Sequence, residues 1–242
     1  MSSVFIAGTD TGVGKTHVTV GLLRALGARG MRACGMKPVA TGVSDAADID
    51  HIPHIVRDFG DDGRVIAAEA PVDPTTGSRP PLALINPVRL PWAVSPHIAA
   101  AAARTGIDLD VVAAAYQRLA ATHAVVVVEG TGGWYAPIDA QRTMADIARR
   151  LSLPVVLVVG MRLGCLNHAL LSAQAIAHDG LRLCGWIANE IDPAMEALEQ
   201  NVATLSQRLA APLWARLPFS ADERSGVSRL DDLARYLAEA AV

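Results

Sequence analysis

The chain has 242 residues, of which 51% are hydrophobic, and its formal net charge at pH 7 is −3. This length can bury the core of one large α/β domain or two small ones, and the balanced charge argues against a nucleic-acid partner or an anionic membrane surface. The cysteines lack disulfide or metal-ligand spacing, no apolar run reaches the ~20 residues of a membrane span, and the N-terminus lacks a signal-peptide pattern. We therefore expect a soluble protein of the cytoplasm.

Apolar runs and helical patterns alternate along the chain. The runs are apolar on both faces, as in central strands of a parallel sheet, and lie at 4–7, 33–39, 124–128, 155–159, 185–188 and 213–217. Helical patterns lie between them, at 16–30, 95–106, 166–180 and 194–210. This alternation predicts a single-domain, doubly wound α/β fold with a mostly parallel sheet, in which ligands bind at the carboxyl ends of the strands.

Two segments carry more specific signals. In the helical pattern 95–106, Ser95 is the expected N-cap, Pro96 the expected first helical residue and Gly106 the expected end. The segment 60–91 is rich in glycine, proline and aspartate and interrupts the alternation. It is either an insertion or a long surface connection within the domain that spans residues 1–242.

The first predicted strand leads into the loop "GTDTGVGKT", which opens the first predicted helix. This context is typical of a phosphate-binding loop, because Gly12 and Gly14 allow backbone N–H groups to point inward and the helix N-terminus adds partial positive charge. Lys15 is placed to reach the β- and γ-phosphates of a nucleotide, and Thr16 to hold Mg²⁺. The usual pattern G-x-x-x-x-G-K-[ST] has glycine where this chain has Thr9, so the motif is a relaxed form.

Two charged residues are expected at the same edge of the sheet. Lys37 ends the second predicted strand in "GMKPVATG", and Glu129 ends another in "AVVVVEGTGGW". A carboxylate there can bind Mg²⁺, and a second lysine facing the γ-phosphate would stabilise charge during phosphoryl transfer. Gly130, Gly132 and Gly133 leave room for a phosphate or substrate to approach the backbone.

Together these segments resemble one family. The stretches "GTDTGVGKT", "KPVATG", "SPHIAA", "VEGTGGW", "VVGMRLGCLNHALLSAQ" and "GWIANE" occur in the order and approximate spacing of the dethiobiotin synthetases, from residue 5 to about residue 219 except across 60–91. The resemblance implies an ATP- and Mg²⁺-dependent ligase of biotin synthesis that acts as a homodimer. In that family 7,8-diaminononanoate and CO₂ form a carbamate, ATP phosphorylates it, and the second amine attacks the mixed anhydride to close a cyclic urea.

The resemblance also implies roles for individual residues. Lys15 and Lys37 are implied as catalytic residues that stabilise the phosphoryl group. The residues implied to bind ATP are Gly12, Val13, Gly14, Lys15, Thr16, His17, Asp50, Glu129, Gly130, Thr131, Gly132, Asn189, Pro218, Phe219 and Ser220. The substrate is implied to contact Thr41, Gly164, Cys165 and Asn167, with the N-terminus of the helix "LNHALLSAQ" holding its carboxylate across a dimer interface.

The metal ligands implied by the resemblance are Thr16, Glu129 and an aspartate that follows "KPVATG". The local sequence "SDAADIDHIPHI" matches this part of the family imperfectly. Asp50 fits best as the third ligand, and Asp48 is the close alternative.

Base recognition and one substrate contact also stay open. The amide of Asn189 can pair with adenine, but N-x-x-D is also a spacing of guanine-specific proteins; because Glu190 replaces the usual lysine, we favour adenine. Arg162 stands where the family often carries lysine, so the charge is kept but the geometry differs.

Two alternative functions are less favoured. Partitioning and site-selection ATPases carry a second lysine four residues before the first, but this chain has Thr11 there, which argues against a nucleotide-dependent switch on membrane or DNA. The related amidoligases of corrin synthesis carry a glutaminase domain with a nucleophilic cysteine, and this chain is expected to be too short after the sheet to hold one.

Overall fold

The computed structural model of the chain describes residues 3–43, 61–73, 77–219 and 227–240. Strands and helices alternate along these ranges. The strands are β1 (Val4–Gly8), β2 (Ala33–Met36), β3 (Val39–Thr41), β4 (Val88–Leu90), β5 (Val125–Glu129), β6 (Val155–Met161), β7 (Leu183–Glu190) and β8 (Leu213–Leu217). The helices are α1 (Lys15–Ala28), α2 (Asp62–Ala68), α3 (Leu82–Ile85), α4 (Pro96–Ala102), α5 (Leu109–Ala120), α6 (Met144–Leu151), α7 (Cys165–His178), α8 (Leu198–Arg208) and, after a 3₁₀ turn, α9 (Asp231–Glu239).

Six strands form one parallel sheet in the order β2–β5–β1–β6–β7–β8. All residues of β1, β5 and β6 are buried, as expected for central strands that are apolar on both faces. The connection through α1 runs from β1 toward β2, whereas those through α6, α7 and α8 run in the opposite direction across the sheet. Because parallel connections are right-handed, helices cover both faces. The predicted doubly wound α/β class is confirmed.

The direction of the connections reverses beside β1. In open parallel sheets, the crevice outside the carboxyl ends of the strands at such a reversal is the usual place for a ligand. The loop after β1 and the loop after β5 both open onto this crevice.

The predicted strand 33–39 is divided in two. After β2, the backbone N–H of Lys37 donates to the carbonyl of Ile85 at 2.7 Å, outside the main sheet. Pro38, which has no N–H to offer a ladder, follows directly, and β3 then pairs with β4 in a separate two-stranded parallel sheet. Lys37 thus lies at a break between two sheets and not inside a continuous strand.

The bounds of two helices differ from the predicted ones. The N-cap Ser95 and the first residue Pro96 are as predicted, but α4 stops well before Gly106, and Arg104 takes the left-handed conformation with φ 51°. The predicted helix 194–210 begins later, as α8. None of the helices in the described ranges is long and apolar enough to cross a membrane.

The described part of the segment 60–91 contains α2, α3 and β4. Ile66, Ile85 and Leu90 from these elements are buried in the core beside β2. This packing holds the start of α2 beside the end of β2, where Asp62 reaches Lys37.

Candidate active site

The phosphate loop runs from the end of β1 to the start of α1. Gly12 (φ 73°) and Gly14 (φ 88°) take left-handed conformations that favour glycine. Gly14 is the N-cap of α1, and among the described residues no side chain caps the helix, so its first N–H groups are available to an anion. Behind the loop, Asn189 donates from Nδ2 to the carbonyl of Val13 at 2.9 Å, and a Cβ on residue 14 would lie only 2.1 Å from that Nδ2.

Lys15 is buried at the beginning of α1. Its Nζ donates to the carbonyl of Asp10 at 2.8 Å, and the residue is 7% exposed. Burial, together with the nearby charge of Lys37, lowers the pKa of Lys15 to about 8. The charge of this ammonium is only partly compensated, which favours an anion placed beside it.

Glu129, at the end of β5, is fully buried and connects the phosphate loop to Lys37. Its Oε1 accepts from Thr16 Oγ1 at 2.8 Å and from Lys37 Nζ at 2.5 Å. Its Oε2 is also buried but has no hydrogen-bond partner in the part of the chain that the structure describes. A buried carboxylate oxygen without a donor costs free energy unless a ligand supplies the missing contact.

Asp62 is a site residue that sequence reasoning missed. It is the first residue of α2, and its Oδ2 accepts from Lys37 Nζ at 2.9 Å. Burial opposes the charge of Lys37, but the carboxylates of Glu129 and Asp62 outweigh burial and raise its pKa. The available signal was "GDDG" before a helical run, in which Asp61 is a typical N-cap: its side chain accepts from Arg64 N at 3.1 Å.

These side chains surround a cavity of about 520 Å³ at the carboxyl ends of β1 and β5. The predicted site residues that line it are Gly12, Gly14, Lys15, Thr16, Lys37, Thr41, Glu129, Thr131 and Gly132. Ala93, Val94, Ser95 and Pro96, at the start of α4, close another side. The volume is within the range of small-molecule sites.

Three further predicted residues lie close to the phosphate loop or the cavity without lining it. Val13 is buried beneath the loop, and His17 is partly buried in the first turn of α1. Gly130 accepts through its carbonyl from Lys37 Nζ at 3.3 Å. Val13 and Gly130 therefore support the residues that face the cavity through their carbonyls, which accept from Asn189 and Lys37.

The remaining predicted residues lie elsewhere or outside the described ranges. Gly164, Cys165 and Asn167 are at the start of α7 and do not line the cavity of their own chain. Pro218 and Phe219 follow β8, and Phe219 is 57% exposed. The predicted residues outside the described ranges are Asp48, Asp50 and Ser220.

Arg162 contacts the phosphate loop, a contact the sequence did not indicate. Its Nη2 donates to Asp10 Oδ2 at 2.5 Å, and Asp10 Oδ1 accepts from the backbone N–H of Thr11 at 2.7 Å. The loop that precedes α7 is thereby tied to the loop that precedes α1.

Comparisons with known proteins identify the family. A family model described as an AAA domain matches residues 2–224. The ATP-dependent dethiobiotin synthetase of Xanthomonas euvesicatoria pv. vesicatoria (strain 85-10) is 50% identical over 215 residues, which cover 89% of this chain and 90% of the relative.

Two solved structures share the fold. The MinD cell division protein of Aquifex aeolicus has a TM-score of 0.56 at 17% identity and covers 98% of this chain and 97% of its own. Cobyrinic acid a,c-diamide synthase of Mycobacterium smegmatis has a TM-score of 0.56 at 17% identity, and the match covers 99% of this chain and 95% of the synthase chain. At such identities the likeness shows the fold alone. The resemblance seen in the sequence is confirmed by the dethiobiotin synthetase comparison: the chain belongs to the AAA-domain family that the model describes and to the family of ATP-dependent dethiobiotin synthetases.

Proposed function

We propose that the chain catalyses ATP-dependent closure of 7,8-diaminononanoate and CO₂ to dethiobiotin, in the cytoplasm. The carbamate formed on one amine attacks the γ-phosphorus of ATP and ADP leaves. The second amine then attacks the carbonyl carbon of the mixed anhydride, phosphate leaves, and loss of a proton gives the cyclic urea. The observation that carries this proposal is the meeting of two buried lysines with Glu129 at a phosphate loop, in a chain that is half identical to a named synthetase.

The two lysines have different roles in this proposal. Lys15 and the N–H groups at the start of α1 bind the phosphates of ATP. Lys37, which also lines the cavity, stabilises negative charge on the phosphoryl group as it moves to the carbamate. Thr131 donates from Oγ1 to the carbonyl of Val39, which holds the loop after β5 beside Lys37.

The donor set of the cavity fits Mg²⁺. Thr16 offers a hydroxyl, and Glu129 offers the buried Oε2 that has no partner among the described residues. Among the described residues, Asp62, which pairs with Lys37, is the further carboxylate available as a metal ligand. Asp50 remains the third metal ligand predicted from the sequence. Bound there, Mg²⁺ would offset negative charge on the phosphate oxygens.

Substrate and base contacts complete the proposal. Thr41 binds the diamine in the cavity, and the N-terminus of α7, at Gly164, Cys165 and Asn167, binds the substrate carboxylate of a partner subunit in a homodimer. Asn189, with Pro218, Phe219 and Ser220, binds adenine. Leu163 and Leu171, which are 96% and 56% exposed, give the α7 region an apolar surface suited to a second copy.

Phosphate release from ATP tests the activity. Release should require both diaminononanoate and bicarbonate, with dethiobiotin formed in equal amount. Release stimulated by DNA or lipid would instead identify a partitioning-type switch, and a requirement for glutamine would identify an amidoligase.

Glu129→Gln should raise the Mg²⁺ concentration needed for half-maximal activity by about tenfold or more, because the change removes a full charge from the metal site while keeping its shape. Activity is measured against Mg²⁺ at saturating ATP and diaminononanoate. Asp110→Asn, an exposed acid on α5 paired with Arg150, is the control and should leave the titration unchanged. An unchanged titration for Glu129→Gln would remove Glu129 from the metal site.

ADP affinity should fall as pH rises above about 8, by up to tenfold per pH unit. The free protein loses the Lys15 charge above its lowered pKa of about 8, whereas the pKa of Lys37 is raised and its charge persists. Calorimetric titration between pH 7 and pH 9.5 measures the effect. Lys15→Met has no charge at any pH and should bind ADP weakly with little pH dependence; equal slopes in both proteins would exclude Lys15 as the titrating group.

A further inference from the structure

The ammonium of Lys37 lies where a cation would be held. An ammonium has three hydrogens to donate, and Lys37 Nζ has three acceptors: Glu129 Oε1 at 2.5 Å, Asp62 Oδ2 at 2.9 Å and the Gly130 carbonyl at 3.3 Å. The Lys37 side chain is 3% exposed and that of Glu129 is 0% exposed. Lys37 therefore compensates a buried carboxylate that would otherwise be very costly.

The same two carboxylates are the ones available to hold a divalent metal, which Glu129 would bind through its unpartnered Oε2. Glu129 Oε1 already accepts from both Thr16 and Lys37, and Asp62 Oδ2 accepts from Lys37. A divalent cation at these carboxylates would stand within a few ångströms of the ammonium, in a buried site where screening by water is weak. The two cations would repel each other and compete for the negative charge of the same carboxylates.

We infer that Lys37 is an internal substitute for the metal: in the metal-free protein its ammonium occupies the cation position between Glu129 and Asp62, and metal binding displaces it. This inference rests on the proposed metal site. It gives Lys37 a second role besides charge stabilisation, because the ammonium becomes available to the phosphoryl group only when the carboxylates have taken a different cation. The lysine is thus kept from the phosphate position until the metal is present.

Mn²⁺ binding without nucleotide tests the inference, with the full chain and electron paramagnetic resonance of free Mn²⁺ as the readout. Lys37→Met should bind Mn²⁺ about tenfold more tightly than the wild type, because it removes the competing cation and leaves both carboxylates. Lys15→Met is the matched control: it removes another buried lysine from the same cavity, but Lys15 donates to the Asp10 carbonyl and not to the carboxylates. It should change Mn²⁺ affinity by less than about threefold.

Lys37→Gln is the second variant, because its neutral amide can still donate to Glu129 if Lys37→Met does not fold. It should show the same tighter binding, and Mn²⁺ should raise its melting temperature more than that of the wild type. Mn²⁺ binding by these variants that is no tighter than in the wild type, including no binding by any of them, overturns the inference. Glu129→Gln separates the two proposals: if it leaves Mn²⁺ binding unchanged, the metal site of the proposed function fails as well.

Discussion

Replacing Lys37 with alanine should reduce turnover by about 10²–10³-fold, and so should Lys15→Ala, since each removes a buried cation that we propose acts on the phosphates. Turnover is measured as dethiobiotin formed at saturating substrates. The two variants should differ in stability. Loss of Lys37 leaves buried Glu129 without its cation and should cost about 3–5 kcal/mol of unfolding free energy, whereas the one hydrogen-bond partner of Lys15 Nζ among the described residues is a carbonyl.

An effect on turnover is separated from loss of stability by measuring turnover at a temperature at which both variants are folded, below the melting temperature of the less stable one. Arg150→Ala is the control for loss of one positive charge: Arg150 is half exposed, pairs with Asp110, and does not line the cavity. It should keep normal turnover. A folded Lys37→Ala variant with near-normal turnover would show that Lys37 does not stabilise the transferred phosphoryl group.

The parts of the site nearest to β1 and β5 were predictable because two local patterns coincide there. Each of the two buried strands is recognisable as an apolar run, and its carboxyl end is marked by the first polar residues that follow. The positions of the phosphate loop and of Glu129 therefore follow from the pattern of apolar and polar residues alone. Parallel strands bring their carboxyl ends to one edge of the sheet, which places Lys15 and Glu129 in one cavity without any knowledge of the packing.

The position of Asp62 could not be predicted in the same way. The residue belongs to a short helix within 60–91, where composition indicated a connection, and it reaches Lys37 because Ile66 packs into the core. The break at Pro38 could not be predicted either. Residues 33–39 are apolar enough for one strand, but Pro38 has no N–H to donate and β3 pairs with β4, so the segment is divided into two strands. Tertiary packing decides both positions.

The start of α7 gives the last prediction, which concerns the dimer. Gly164, its N-cap, does not line the cavity of its own chain, and in the described part of the chain no atom beyond the adjoining backbone lies within 4 Å of a Cβ placed there. If this helix end serves the partner's site, Gly164→Val blocks the partner's substrate and Lys15→Ala disables the chain's own phosphate loop. Each variant alone should then be inactive.

Mixing the two variants and allowing subunits to exchange should restore up to about a quarter of wild-type activity per chain. Random pairing makes half of the dimers mixed, and each mixed dimer has one site with an intact loop from one subunit and an intact helix end from the other. Gly180→Val is the matched control, since Gly180 (φ 76°) closes the opposite end of α7 with the same left-handed conformation and similar open space among the described residues. It carries the same backbone strain but should be active alone. If exchange is proven by mass spectrometry and no activity returns, the substrate carboxylate is bound within one chain, because a site shared between subunits has to be restored in the mixed dimer.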